Sequence, residues 1–251
     1  HKFSLVMNRI YREYKVLLDY EELFIFIFIT HYMISSQIGS LDKIFSGGLQ
    51  NGIITEISGL RGTGKTQLAL QFAIDPLRNN KKILLIDTTV EFRPERFLQM
   101  LQSRNLPVSL LENLHVSRVT DTHKQIEILK NLDKNYFSLL IIDNITDLFS
   151  FEYSKKEHQI EKNANFGNYM IDLSKITQSE NIPIIITNQI FSHDDTNYQR
   201  MHTQLENYIH QKIHLEKIKN KNICTISSPF IHNTKFHYKM TNSGIEETES
   251  I

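Results

Sequence analysis

The feature that most constrains this chain is a glycine-rich segment at residues 59–66, which reads GLRGTGKT. It fits the spacing G-x-x-x-x-G-K-[ST] and lies between an apolar segment with strand character (53–58) and a segment with helical periodicity (65–74). Glycines let backbone amides approach a polyanion closely, and the start of the following helix adds a positive dipole. The pattern therefore predicts a loop that binds the phosphates of a nucleotide.

Side chains near this loop predict a magnesium site. Lys65 is expected to reach the outer phosphates, and the Thr66 hydroxyl is expected to ligate Mg²⁺. Asp143 ends an apolar strand (LLIID) and is expected to hold the same ion through water, although an aspartate in this place can also cap a turn. The loop residues expected to bind the nucleotide are Gly59, Leu60, Arg61, Gly62, Thr63, Gly64, Lys65 and Thr66.

The alternation of apolar segments predicts an α/β fold. The segments 82–87, 139–143 and 182–188 indicate further strands of a covered parallel sheet. Between them, helical patterns begin at Pro94, at a capping Thr122 and at residue 160, and the helix after the glycine-rich loop is expected to end near Pro76. After Gln211 the pattern changes to period two. We therefore expect a mainly parallel central sheet flanked by helices, with antiparallel C-terminal edge strands.

Composition limits the range of partners. The 251 residues contain 28 Lys and Arg against 28 Asp and Glu, so net charge gives no argument for a nucleic-acid partner. The single cysteine, Cys224, excludes a disulfide framework and favours an intracellular location. The apolar run at 23–29 is far shorter than the roughly 20 residues that span a bilayer, so it is interpreted as a strand and no membrane partner is expected. Residues 1–32 are predicted to be an appendage to a core at 33–251.

Several segments together resemble the RecA/RadA superfamily of strand-exchange recombinases and their paralogues. They read IGSLDKIFSGGLQNGIITEISG (38–59), IDTTVEFRPERF (86–97), LLIIDN (139–144), IIITNQI (184–190) and ICTISSPFIHNTKFHYKMTNSGIEE (223–247). The resemblance covers most of residues 34–247. The short length is most similar to the archaeal RadB paralogues, and the opening segment also resembles one branch of the eukaryotic paralogues. It implies a RecA-like P-loop NTPase core that binds ATP and Mg²⁺.

The resemblance also implies roles for single residues. Gln189 matches the glutamine that senses the γ-phosphate, although a polar residue can simply end a strand. Arg96 matches the arginine that packs on the adenine, with a surface arginine of a helix as the alternative. In the active recombinases the second strand continues DTEGTFRPER, and its glutamate positions the attacking water. Thr89 stands in that place here, so slow hydrolysis is expected. Glu91, two residues further on, is the candidate substitute.

The expected DNA-contacting regions, near 150–165 and 191–208, lack the family's glycine-rich or arginine-rich pattern. Asn207 replaces the histidine that senses nucleotide across the subunit interface. The candidate DNA-binding residues are Lys155, Lys156 and Arg200, joined by a C-terminal basic cluster of Lys212, Lys217, Lys219 and Lys221. A solvated surface explains these residues equally well. A metal cluster of His193, Asp194, Asp195 and His202 is disfavoured, because the segment is interpreted as a polar loop.

These observations lead to three hypotheses. The preferred one is an ATP-binding accessory protein of homologous recombination and DNA repair with weak ATP hydrolysis. The others are a DNA-dependent, filament-forming strand-exchange ATPase and a structural interaction protein with a vestigial nucleotide site. The expected partners are DNA, preferably single-stranded, a recombinase or paralogue, and further copies of the chain. The expected location is the cytoplasm or nucleoid for an archaeal protein and the nucleus for a eukaryotic one.

Overall fold

The computed structural model describes residues 33–133, 135–193, 196–228 and 231–250. The predicted appendage and its apolar run lie outside the described residues, so the predicted division at residue 33 stays a prediction. The helices of the described part are α1 (Gly39–Ile44), α2 (Lys65–Arg78), α3 (Pro94–Gln102), α4 (Thr122–Lys130), α5 (Asp147–Glu152), α6 (Gln159–Ser179) and α7 (His202–Glu206). Two short 3₁₀ turns, Val108–Asn113 and Lys156–His158, complete the helical segments described.

The strands of the described part are β1 (Ile54–Gly59), β2 (Ile83–Asp87), β3 (Leu114–Arg118), β4 (Leu139–Asp143), β5 (Ile184–His193), β6 (Thr196–Gln199), β7 (Gln211–Ile218), β8 (Lys221–Ser228), β9 (Ile231–Thr241) and β10 (Gly244–Ser250). Nine of them follow the order β10-β9-β8-β7-β1-β5-β4-β2-β3, and β6 pairs with β5. Strands β1, β2 and β4 are buried along their whole length, as expected for strands covered by helices on both faces. The predicted fold class is confirmed.

The C-terminal edge differs in one respect from the prediction. Strand β7 pairs parallel with β1, so it extends the parallel part of the sheet before the direction changes. The pairs β7–β8, β8–β9 and β9–β10 are antiparallel. In β7 the buried and half-buried residues alternate, which is the period-two pattern that the sequence displays. Periodicity reports which face of a strand is buried and carries no information on its direction.

Two helix ends also differ from the predictions. Helix α2 continues through Pro76 to Arg78, because a proline in the last turn removes only one hydrogen bond and Leu77 is fully buried. Helix α4 is capped by Asp121, whose Oδ1 accepts a hydrogen bond of 2.8 Å from the amide of Lys124. The Thr122 hydroxyl donates instead to Glu152.

The two predicted DNA-contacting regions contain regular structure. Residues 150–165 include the end of α5, a 3₁₀ turn and the start of α6. Residues 191–208 include the β5–β6 hairpin and α7, whereas the sequence was interpreted as a loop. None of the helices in the described part is both long and apolar enough to cross a membrane.

Candidate nucleotide-binding site

The glycine-rich loop connects the buried strand β1 to helix α2 at the carboxyl edge of the parallel sheet. A Cβ atom on Gly59 would overlap the carbonyl oxygen of Leu215 in β7, so only glycine fits against the neighbouring strand. Gly64 precedes the helix with a φ of 98°, a left-handed conformation that favours glycine. These constraints turn the chain sharply and leave the first amides of α2 without partners within the helix.

The Lys65 side chain folds back over the loop. Its Nζ donates to the carbonyl oxygens of Gly59 and Leu60 at 3.0 and 2.9 Å. Burial lowers the pKa of Lys65, and the nearby carboxylate of Asp143 partly opposes this. A bound polyanion would favour the charged ammonium further, so this lysine suits a phosphate ligand.

Thr66 and Asp143 form a pair of oxygen ligands. The Thr66 hydroxyl donates to Asp143 Oδ2 at 2.6 Å, and the Thr187 hydroxyl on β5 donates to Oδ1. Burial raises the pKa of Asp143 despite these hydrogen bonds. A hydroxyl beside a carboxylate is the kind of ligand set that Mg²⁺ takes next to nucleotide phosphates, so these residues fit the expected ion.

A cavity of about 400 Å³ opens at this edge of the sheet. It brings together most of the predicted nucleotide-site residues, namely Arg61, Gly62, Gly64, Lys65, Thr66, Glu91, Arg96, Asp143 and Gln189. Gly59, Leu60 and Thr63 shape the loop from behind, where the Thr63 hydroxyl donates to the Leu60 carbonyl at 2.8 Å. The volume is ample for a nucleotide-sized ligand.

The segment after β2 is organised by a buried carboxylate that the sequence interpretation missed. Asp87 Oδ1 accepts hydrogen bonds from the amide and the hydroxyl of Thr89, at 3.2 and 3.0 Å. Its Oδ2 accepts from the amide of Phe92 at 3.1 Å. Thr89 therefore lines the cavity with its hydroxyl hydrogen-bonded to Asp87. It has no ionisable group that could act as a base.

Glu91 also lines the cavity, on an exposed part of its rim. Its Oε1 lies 2.9 Å from Nη2 of Arg61 in the glycine-rich loop, and both side chains are more than half exposed. An ion pair this accessible to water contributes little stability. The Glu91 carboxylate lies at the mouth of the cavity, and its role in place of the missing glutamate stays a prediction.

Arg96 lies at the other end of the cavity. Its guanidinium donates to the backbone carbonyls of Thr241 and Asn242 at the turn between β9 and β10, and to the Gln99 side chain. The guanidinium is thus held in place by the C-terminal hairpin while the residue still lines the cavity. The packing of Arg96 on an adenine stays a prediction.

Comparison with known proteins adds to this geometry. The model of the Rad51 family matches residues 30–248. The chain belongs to the Rad51 family. It is 28% identical over 233 residues to a protein named DNA repair and recombination protein RadB from Thermococcus sibiricus, a match that covers 87% of this chain and 97% of that relative. The predicted resemblance to the RecA/RadA superfamily and to RadB is confirmed.

Gln189, the predicted γ-phosphate sensor, lies beside Gly59 in the parallel β1–β5 register and lines the cavity. The preceding residue, Asn188, is fully buried and donates to Glu56 Oε1 at 3.1 Å. Gln199 of β6 donates to the same oxygen. Glu56 therefore fastens the β5–β6 hairpin to the strand that leads into the glycine-rich loop.

Lys155 and Arg200, two of the candidate DNA-binding residues, do not line the cavity and belong to the two segments predicted to contact DNA. Nζ of Lys155 lies 3.9 Å from Glu157, and Nη1 of Arg200 lies 3.6 Å from Asp147. The Arg200 guanidinium also stacks 4.2 Å above the Phe191 ring. The side chain of Lys156 lies outside the described residues.

Of the four residues considered as a metal cluster, only His202 has a described side chain, so the disfavoured cluster stays untested. Among the side chains that the structure describes, no group of three or more His, Cys, Asp or Glu could hold an ion. His202 lies 3.6 Å from Glu206 within α7, and Asp194 and Asp195 lie outside the described residues. Asn207, in place of the Rad51-family histidine, directly follows this helix.

The sequence interpretation missed the part of the site that comes from the C-terminal hairpin. The Tyr238 hydroxyl donates to the carbonyl of Thr63 in the glycine-rich loop at 2.7 Å. Met240 lines the cavity, as do Gln67 and Leu70 of α2. The period-two alternation of β9 places Tyr238 and Met240 on one face, but only the tertiary fold places that face against the loop.

Proposed function

We propose that this protein is an ATP-binding accessory protein of homologous recombination and DNA repair that hydrolyses ATP slowly. One observation carries the proposal: the cavity that holds the Lys65, Thr66 and Asp143 set presents a threonine at position 89, where active family members have a carboxylate. Loss of a positioned base lowers the rate by about 10² to 10⁴. ATP binding does not depend on this base, so we expect binding to persist when hydrolysis is slow.

The relatives support the assignment to recombination. The similar protein from Thermococcus sibiricus is named for DNA repair and recombination, and this chain covers nearly all of its length. Because the chain belongs to the Rad51 family, the expected partners are DNA, a recombinase or paralogue, and further copies of the chain.

In this proposal each residue of the cavity has a defined task. The amides of the glycine-rich loop and the start of α2 bind the phosphates, and Lys65 neutralises their charge. Thr66 and Asp143 hold Mg²⁺, which when bound neutralises charge on the phosphate oxygens. ATP then stabilises the folded site by mass action, so that binding acts as a switch without turnover.

A second function is favoured by a specific observation. Glu91 lines the same cavity and pairs with Arg61 at its rim, so it could position water in place of the missing glutamate. The protein would then be a DNA-dependent ATPase able to form filaments and exchange strands. This alternative requires that removal of the Glu91 carboxylate abolish turnover.

The deciding experiment measures ATP binding and ATP turnover with and without single-stranded DNA. For Lys65→Ala we expect ATP affinity to fall by about 10- to 150-fold, because the variant removes a charge-assisted contact. The matched control is Lys81→Ala, an exposed lysine that follows α2 and does not line the cavity. Turnover by the wild type is expected to lie at least about 100-fold below a common enzymatic rate of about 10 s⁻¹.

Two outcomes would replace this proposal. Robust turnover that DNA stimulates and that Lys65→Ala abolishes would make the protein an active ATPase. The absence of any saturable, Mg²⁺-dependent ATP binding would make the site vestigial and the protein a structural interaction partner.

Assembly has a candidate acceptor in the described residues. Strand β3 ends the sheet and pairs with β2 alone among the described strands, and Val116 at its centre is 38% exposed. An open sheet edge accepts a strand from another chain, and the segment at 23–32 is the donor that we propose. A chain that begins at Met33 should then lose self-association or partner binding in light scattering, and an unchanged oligomeric state would contradict the idea.

A further inference from the structure

The outermost hairpin, β9–β10, sends one apolar side chain into the nucleotide cavity. Phe236, Tyr238 and Met240 alternate along one face of β9, and the first two are 1% and 3% exposed. Met240 is 45% exposed and lines the cavity. The face of β9 that packs into the core therefore continues into the cavity, where an apolar side chain remains uncovered.

This side chain is presented by a firmly held segment. The fully buried amide of Gln71 on α2 accepts from the Ile245 amide at 2.7 Å and donates to the Ile245 carbonyl at 3.1 Å. Ile245 is the cross-strand partner of Met240. Tyr238, two residues before Met240, is fixed to the carbonyl of Thr63.

The chemistry of Met240 suits the base of a nucleotide better than its phosphates, because a thioether carries no charge and donates no hydrogen bond. A Cβ atom on Gly64 would lie 3.1 Å from the Met240 sulfur, so the side chain borders the last residue before α2. The neighbouring lining residues include the apolar Leu70 and the Arg96 guanidinium, which binds the carbonyl of Thr241 next to Met240. A thioether beside a guanidinium plane suits a flat heteroaromatic ring, because sulfur and guanidinium groups both contact aromatic rings favourably.

We propose that Met240 is a base-contacting residue of the nucleotide site, with its thioether packed against the aromatic base on the side of Arg96. The inference rests on the proposed ATP binding and assigns part of the affinity for ATP to the C-terminal hairpin. The phosphates are bound by the glycine-rich loop, so the contributions of base and phosphate are separable.

Isothermal titration of the full chain with Mg²⁺-ATP and with Mg²⁺-tripolyphosphate, which has no base, tests the proposal. Met240→Ala is expected to weaken ATP binding by between about 2- and about 12-fold, the range of a sulfur–aromatic contact. Tripolyphosphate binding is expected to stay within about twofold of the wild type, because the glycine-rich loop is intact. Met240→Leu keeps an apolar contact and should retain most of the ATP affinity. Ile218→Ala, a similarly exposed apolar strand residue remote from the cavity lining, should change neither ligand.

The outcomes separate this inference from the proposed function. If Met240→Ala weakens ATP and tripolyphosphate equally, the residue supports the loop and does not contact the base, and the inference is wrong. Unchanged ATP affinity in Met240→Ala, with normal wild-type binding, also overturns the inference and leaves ATP binding intact. If the wild type binds neither ligand, the proposed function fails and the inference fails with it.

Discussion

Thr89 offers a hydroxyl bound to Asp87 where the active recombinases have a glutamate. The next residue, Val90, adopts a φ of 58° where the family segment DTEGTFRPER has glycine. A β-branched residue in the left-handed region is strained. Two consecutive positions of this segment thus depart from the family segment, and Thr89, the first of them, lines the cavity.

Restoring the carboxylate tests this reading. In Thr89→Glu we expect ATP turnover to rise by at least about 10-fold, since a positioned base contributes about 10² to 10⁴ in full. The matched variant Glu91→Gln should change turnover by less than about twofold, because Glu91 sits in an exposed ion pair with Arg61. Phosphate release at saturating ATP measures both rates. A loss of more than about 10-fold in Glu91→Gln would instead identify Glu91 as the base.

The sequence predicted the glycine-rich loop, Lys65 and Thr66 because their geometry is set locally, by a strand, a turn and a helix start. It predicted Asp143 because a carboxylate that ends a parallel strand lies at the carboxyl edge of the sheet. It did not predict Tyr238 or Met240 as site residues. Their contact with the loop depends on the packing of β9 against α2, and a period-two pattern does not say what lies opposite the buried face. Asp87 was not predicted because its carboxylate accepts hydrogen bonds from backbone amides, and no sequence motif indicates that role.

At the scale of elements, Glu56 joins three strands through a buried carboxylate. It is 3% exposed, and burial raises its pKa above the ordinary value of 4.5 although Asn188 and Gln199 donate to it. The folded protein therefore binds this proton more tightly than the unfolded chain does. The stabilising effect of protonation is complete below 4.5 and is lost as the pH rises through the raised pKa.

Replacement of this carboxyl by an amide should remove that pH dependence. We expect the free energy of unfolding of the wild type to fall relative to Glu56→Gln as the pH rises above 4.5, and the difference to become constant once the raised pKa is passed. Urea unfolding of both proteins between about pH 4.5 and 8 measures the difference. Gln102→Ala, at an exposed site and without an ionisable side chain, should run parallel to the wild type throughout. Parallel curves for Glu56→Gln would refute the assignment.

Gln71 is the second contact that joins elements. Its side-chain amide pairs with the backbone amide and carbonyl of Ile245 in β10, as a neighbouring strand would. It also donates to the Ser36 carbonyl at 2.8 Å. Gln71→Ala leaves these buried backbone groups unpaired, and we expect it to lower the free energy of unfolding by about 2 to 4 kcal/mol. Chemical denaturation measures this, with Gln102→Ala on the exposed face of α3 as the control. Equal stability of the two variants would show that the Gln71 contacts are not needed.

At the scale of the whole molecule, net charge is zero, and the candidate DNA-binding residues Lys155 and Arg200 each lie beside a carboxylate. We therefore expect weak binding of single-stranded DNA, with a slope of log K against log salt of about −2 for three phosphate contacts. Fluorescence anisotropy across a salt series measures it. The triple variant Lys155→Ala, Lys156→Ala and Arg200→Ala should flatten the slope, whereas alanines at Lys217, Lys219 and Lys221 should not. The reverse result would move the DNA site to the C-terminal hairpins.

The hydrogen bond from Tyr238 to Thr63 joins residues that are 175 positions apart in the chain. During synthesis on a ribosome the glycine-rich loop emerges long before the strand that supports it. A nascent chain would therefore present an unsupported loop until β9 and β10 had left the exit tunnel and docked on α2. ATP capture is therefore expected only late in synthesis, after the sheet has been completed.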